Sequence, residues 1–102
     1  MLAQIRIYTI NRGEMDAFLK HFTEQTAPLH QQVGIPITGM YVNRTQNEFI
    51  WVRTFAYEQD RDTRVKAFQD AAKAAGVVLG GNVAKMEIRE TQPVEAAVAA
   101  GA

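Results

Sequence analysis

The chain of 102 residues reads as an α+β domain of the ferredoxin-like kind, a βαββαβ antiparallel sheet with two helices on one face. Three observations carry that reading. A hairpin pattern fills residues 37–55, where arms 37–43 and 49–55, rich in aromatic and β-branched side chains, flank the polar stretch Arg44-Thr45-Gln46-Asn47-Glu48. Alternating stretches lie at residues 3–10 and 83–90. Between these strands run two segments whose apolar residues recur at three-and-four spacing. Right-handed crossovers, with both helices on one face, give the strand order 4-1-3-2.

Residues 3–10 (AQIRIYTI) set Ile5, Ile7 and Thr9 on one face and Gln4, Arg6, Tyr8 and Ile10 on the other. After the turn Asn11-Arg12-Gly13, Glu14 and Asp16 place negative charge in the first turn of a helix, where the macrodipole favours it. Met15, Phe18, Leu19, Phe22, Thr26 and Leu29 form its apolar stripe. Pro28 lacks a backbone donor and disfavours helical geometry at Ala27, so a kink or restart is expected there. Gly34 suits the left-handed position after a helix, and Ile35-Pro36 leads into the hairpin. Gly39 marks a bulge or a close backbone approach.

In the second arm Phe49, Trp51, Arg53 and Phe55 point one way, and Ile50, Val52 and Thr54 the other. A strand apolar on both faces has to be covered twice. The second helix ends near Ala75 with Gly76 as its stop, and Val65, Phe68, Ala71, Ala72 and Ala75 line its apolar side. Residues 77–82 form a loop. The last strand sets Ala84, Met86 and Ile88 against Lys85, Glu87 and Arg89, as an edge strand with one wet face does. Residues 1–92 make one domain, and the small-residue stretch 93–102 is expected to be a flexible tail.

Two helices cover one sheet face only. The aliphatic set Ile5, Ile7, Ile50 and Val52 is expected beneath them, with Phe18, Phe22, Val52 and Phe68 carrying the core. Tyr8, Ile10, Trp51 and Phe55, with Arg6 and Arg53 among them, are then expected on the open face. A patch of that kind exceeds the roughly 300–600 Å² that monomers leave bare. A second copy of the sheet is the expected cover, which makes a homodimer that the strand edges can extend to higher oligomers.

Composition excludes several functions. Eleven Lys and Arg balance eleven Asp and Glu, and the charges are interspersed, which argues against a nucleic-acid partner. The chain has no cysteine and no serine, so it offers no disulfide, no thiolate metal site and neither of those nucleophiles. No apolar run approaches the roughly 18 residues of a membrane span, and the first strand begins at once without a signal-like region. A cytoplasmic location is expected. His21 and His30 lie too far apart to clamp an ion at one-turn spacing, so neither a metal nor a cofactor is expected. Tyr8 and Trp51 on the central strands resemble the stacking platform of RNA-recognition motifs. The glycines and basic residue of that motif are missing around residues 49–55, and Glu48 opens the strand.

The run Ile5-Arg6-Ile7-Tyr8-Thr9-Ile10, a short spacer to Gly13, and Phe18 on the helix together resemble the opening of NIPSNAP-family proteins. Ala27-Pro28-Leu29 followed by Gly34 and Gly39 is similar to the family's middle region. Asn47-Glu48 before an apolar strand, then Tyr57-Glu58 and Arg61 or Arg64, continue the likeness across about residues 4–90. The resemblance implies a dimeric α+β barrel. One departure is Trp51-Val52-Arg53-Thr54-Phe55, where the family's third strand ends in tyrosine; a role for that hydroxyl does not transfer to Phe55.

Tyr8, Tyr41, Asn43, Trp51 and Arg53 are the candidate ligand-binding residues, the one constellation mixing aromatic bulk with polar donors. The same residue types populate dimer interfaces, so the expected function is a homodimeric binding or interaction module with a pocket for a small organic acid or phenol. The alternative is a cofactor-independent oxygenase or isomerase of such a compound. In it Trp51 and Asn43 hold the substrate, and Tyr8 or Arg53 stabilises an enolate-like anion. Arg53 on an aromatic face needs a carboxylate or an anionic ligand; Glu87, or an acid from the partner subunit, is the expected protein source.

Overall fold

Four alternating stretches become the four strands of one antiparallel sheet: β1 (Leu2–Ile10), β2 (Ile37–Asn43), β3 (Glu48–Phe55) and β4 (Val83–Thr91). Their order is β2-β3-β1-β4, the expected arrangement read from the other edge. The computed structural model describes residues 1–94, so most of the expected tail at 93–102 lies outside the described residues. Between β1 and β2 run α1 (Met15–His21), a π-helical turn (Phe22–Thr26) and α2 (Ala27–Gln32); α3 (Glu58–Ala75) joins β3 to β4.

Turn chemistry follows the sequence closely. Gly34 and Gly76 both end helices in the left-handed region, at φ +75° and +69°. Asn47 closes the hairpin at φ +58°, its backbone carbonyl accepts from Ile10 N–H at 2.9 Å, and its side-chain amide donates to the Ile10 carbonyl. The turn is thereby stitched to the end of β1. Pairing passes from Ile37–Arg53 to Gly39–Val52, so a bulge sits where Gly39 predicts one.

The first helical stretch departs from expectation at Pro28. Ala27 keeps helical geometry (φ −63°, ψ −43°), and its N–H reaches back five residues to the Phe22 carbonyl. Pro28 cannot donate to the carbonyl four residues earlier, and the chain answers with one widened turn instead of a break. That turn buries Phe22 and Thr26.

The expected division of faces is reversed. Tyr8, Ile10, Phe49, Trp51 and Phe55 lie buried beneath the helices with Phe18, Phe22 and Phe68. Ile5, Ile7, Ile50 and Val52 are only half-buried, on the side opposite the helices, so Val52 is not a core residue. Aromatic side chains bury the largest apolar area, and the helical stripes meet them with phenylalanines that pack edge-on or tilted, as Phe22 does on Trp51 at 4.9 Å and on Phe49 at 4.8 Å. A row of β-branched residues makes a flatter surface that suits sheet-on-sheet packing.

Under the helices the core forms two clusters. One gathers Tyr8, Met15, Phe18, Phe22, Phe49 and Trp51; the other gathers Leu2, Leu29, Ile35, Phe55, Phe68 and Ala72. Among the described residues, four buried polar ones accompany them: Gln4, Thr26, His30 and Arg53. No helix among the described residues is long and apolar enough to cross a membrane.

Candidate functional site

Gln4, Arg6 and Tyr8 share a face of β1 because their positions share parity, and cross-strand pairing brings them beside Arg53, Trp51 and Phe49 of β3. From above, Phe22, Thr26 and His30 descend onto this face at intervals of four residues. Between sheet and helices lies a cavity of about 240 Å³ whose walls include Tyr8, Phe22, His30, Trp51, Arg53 and Phe68. Arg6 and Arg53 also line a second, more polar cleft, which opens beneath α3 beside Gln4, Arg61 and Glu90. The two guanidiniums are a shared wall between an aromatic chamber and a polar one.

Arg53 is 4% exposed. Its Nε donates to Gln4 Oε1 at 2.8 Å and its Nη1 to His30 Nε2 at 3.0 Å. Its Cζ lies within 6 Å of the ring centroids of Trp51, Phe55 and Phe68, cation–π distances that soften the cost of burying the charge. Burial, with Arg6 adding to it, lowers the pKa of Arg53 to about 10, so it remains cationic at neutral pH. Arg6 donates from Nη1 to the same Gln4 oxygen at 2.8 Å and from Nε to the Tyr8 hydroxyl at 2.9 Å. One neutral amide oxygen thus serves two guanidiniums. Among the described residues, neither arginine has a carboxylate within salt-bridge distance.

His30 is held in one tautomer. An arginine can only donate, so Nε2 accepts, and the proton sits on Nδ1, which donates to the Thr26 carbonyl at 2.9 Å. Burial takes its pKa down to about 4, the Thr26 bond opposing and Arg53 and Arg6 reinforcing the fall. Trp51 completes the inner wall, and its indole N–H is buried without a hydrogen-bond partner among the described residues.

Of the expected site residues, the structure brings Tyr8, Trp51 and Arg53 together and leaves Tyr41 and Asn43 apart. Tyr41 pairs with Ile50 and is 62% exposed on the side away from the helices. Asn43 is paired with Glu48 at the hairpin end, where its amide donates to the Glu48 carboxylate at 3.3 Å. Because the three grouped residues lie under the chain's own helices, they are not available to a partner's sheet. Glu87 does not serve Arg53: it pairs with Ile7 on the opposite face and binds Lys85 and Arg89.

Gln4, Arg6 and His30 are the site residues that sequence reasoning passed over. The signals were present, in the parity of Gln4 and Arg6 with Tyr8 and in the four-residue spacing of His30 from Thr26 and Phe22. Among the described residues no group of three or more His, Asp or Glu is placed to hold a metal ion.

No family model matches the chain, and no curated protein matches it in sequence. Solved structures do. An uncharacterized NIPSNAP domain protein from Burkholderia xenovorans is similar at 16% identity and a TM-score of 0.82, over 92% of this chain and 95% of that one. A NIPSNAP family protein of unknown function from Agrobacterium tumefaciens is similar at 18% identity and a TM-score of 0.81, over 91% and 87%. A mutant of MhuD with two manganese protoporphyrin IX molecules bound per active site is similar at 14% identity and a TM-score of 0.70, over 94% and 97%. The chain has the fold of NIPSNAP domain proteins and, more broadly, that of the dimeric α+β barrel proteins. The cavity, at about 240 Å³, is below the roughly 300–1,000 Å³ of drug-sized sites; of the two histidines on its wall, His30 has both ring nitrogens engaged and His21 has Nε2 at the Val78 carbonyl.

Proposed function

We propose that this chain is a homodimeric small-molecule-binding protein whose cavity between helices and sheet takes a small organic acid or phenol. The observation that carries the reading is Arg53, a buried cation at the edge of an aromatic chamber with no carboxylate beside it among the described residues. Burying a guanidinium without a counter-ion costs several kcal/mol, which Gln4, His30 and the aromatic faces offset only in part. A ligand oxygen bearing negative charge supplies what is missing. Apolar walls with a few placed donors are the usual make-up of a small-molecule site.

The homodimer rests on the sheet face away from the helices. There Ile5, Ile7, Ile50 and Val52 form a half-exposed aliphatic row, flanked on β4 by the Lys85–Glu87–Arg89 ion pairs. A second copy laid face to face covers that row and leaves the cavity walls within each protomer.

Thermal shift with single-ring acids and phenols tests the ligand reading. Hits with the wild type that vanish in Arg53→Leu are the expected result. An intact dimer that responds to none of them would leave a non-ligand-binding interaction module.

A further inference from the structure

The charges around the two arginines specify more than an anion. Gln4 Nε2 donates to Glu90 Oε2 at 3.1 Å, while the other Glu90 oxygen accepts from Arg61 Nη1 at 2.6 Å. Arg61 Nε in turn donates to Asp62 at 2.9 Å. Arg6, Arg53 and Arg61 therefore share one connected network with Glu90 and Asp62, three positive charges against two negative. The other charges on this side of α3 pair elsewhere: Lys66 with Asp70, and Arg64 with Asp60. One positive charge is left over. It falls on the shared wall, since both carboxylates are drawn toward Arg61.

Open donors lie at the same place. Arg53 Nη2 has no hydrogen bond among the described residues, and Arg6 Nη2 has only the Met86 thioether at 3.2 Å, a weak acceptor. A planar carboxylate offers two oxygens to such donors, and its attached ring meets the aromatic chamber behind them.

We infer that the cavity selects a monoanion, an aromatic carboxylate whose ring lies among Tyr8, Trp51 and Phe68 and whose oxygens bind Arg6 and Arg53. This rests on the small-molecule reading above and names the class of ligand. A neutral isostere leaves the surplus charge unmatched. A dianion brings one negative charge too many, against Glu90 close by.

Calorimetric titration of the full chain at about pH 8, where phenyl phosphate is dianionic, separates the cases with benzoate, benzamide and phenyl phosphate as probes. Benzoate is expected to bind at least about tenfold more tightly than either of the others. Glu90→Gln keeps one acceptor oxygen, for Arg61, sets an amide NH2 where Glu90 Oε2 accepted from Gln4, and leaves a second uncompensated charge. It should move the ratio of the phenyl phosphate to the benzoate Kd about tenfold in favour of phenyl phosphate. Benzamide binding as tightly as benzoate would overturn the monoanion and leave the cavity reading standing. Phenyl phosphate binding tightest in the wild type, or a ratio unmoved by Glu90→Gln, would overturn the charge argument alone. Failure of all three probes to bind a folded protein would overturn the cavity reading with it.

Discussion

Arg53 donates to His30 Nε2 at 3.0 Å, and His30 passes the constraint on, donating from Nδ1 to the Thr26 carbonyl at 2.9 Å. A strand residue is thereby locked to the widened turn of the first helix through a neutral imidazole. Protonating that imidazole would set a new N–H against a guanidinium inside the core. The link therefore holds only while His30 is uncharged.

Acid should weaken the fold through this residue. The pKa of His30 is about 4 in the folded chain and 6.5 when exposed, so between these values the unfolded state takes up a proton that the folded state does not. The stability is fully present above pH 6.5 and is lost as pH falls toward 4, by an amount of order 3 kcal/mol. Urea titrations of wild type and His30→Gln across this range should show a wild-type slope exceeding the variant's. Carboxylates contribute equally to both proteins, so parallel slopes would remove His30 as the cause.

Phe22 stacks beside Phe18 and packs on Phe49 and Trp51 at centroid distances of 5.8, 4.8 and 4.9 Å. It is 2% exposed. Phe22→Ala should cost ~3–5 kcal/mol in a denaturant titration, the range for emptying a buried aromatic site. A loss under about 1 kcal/mol would mean that the site collapses without a cavity.

Gly34 and Gly76 have nearly the same positive φ, but their surroundings differ. A Cβ on Gly34 would meet the Arg64 guanidinium, which donates to the carbonyls of Val33 and Gly34 at 2.9 and 3.1 Å; a Cβ on Gly76 meets nothing within 4 Å. Both alanine variants should lose about 1–2 kcal/mol from left-handed strain. Gly34→Ala should lose more, and chemical denaturation of the pair measures the cost of displacing Arg64.

Ile50 sits in the aliphatic row opposite the helices, paired with Ile7 and Tyr41. On the proposed dimer, Ile50→Lys should leave each protomer folded while sedimentation falls from a species of twice 11.4 kDa to a single chain. A wild type that sediments as a single chain would overturn the dimer itself. An Ile50→Lys protein that still sediments as a dimer would place the contact on another surface.

Element order and turn positions were legible in the chain because each is decided within a few neighbouring residues, and strand order followed from the crossover rules. Gly34, Gly39, Asn47 and Gly76 each answer a local backbone demand, and the alternation of β1 and β4 needs no partner to be seen. The grouping of Tyr8, Trp51 and Arg53 was legible for the same reason, since strand parity and pairing of adjacent central strands follow from topology alone.

Which side of the sheet the helices cover is settled by packing, and no local pattern encodes it. Both faces of β1 and β3 are apolar, so alternation marks two sets without ranking them, and the choice falls to whichever set fills the space under Phe18, Phe22 and Phe68. Tyr41 and Asn43 left the site because the bulge at Gly39 sets the register of β2, which pairing with β3 defines. His30 entered it because a buried guanidinium needs acceptors in three dimensions, and beside Gln4 the second one comes from a helix 23 residues earlier in the chain.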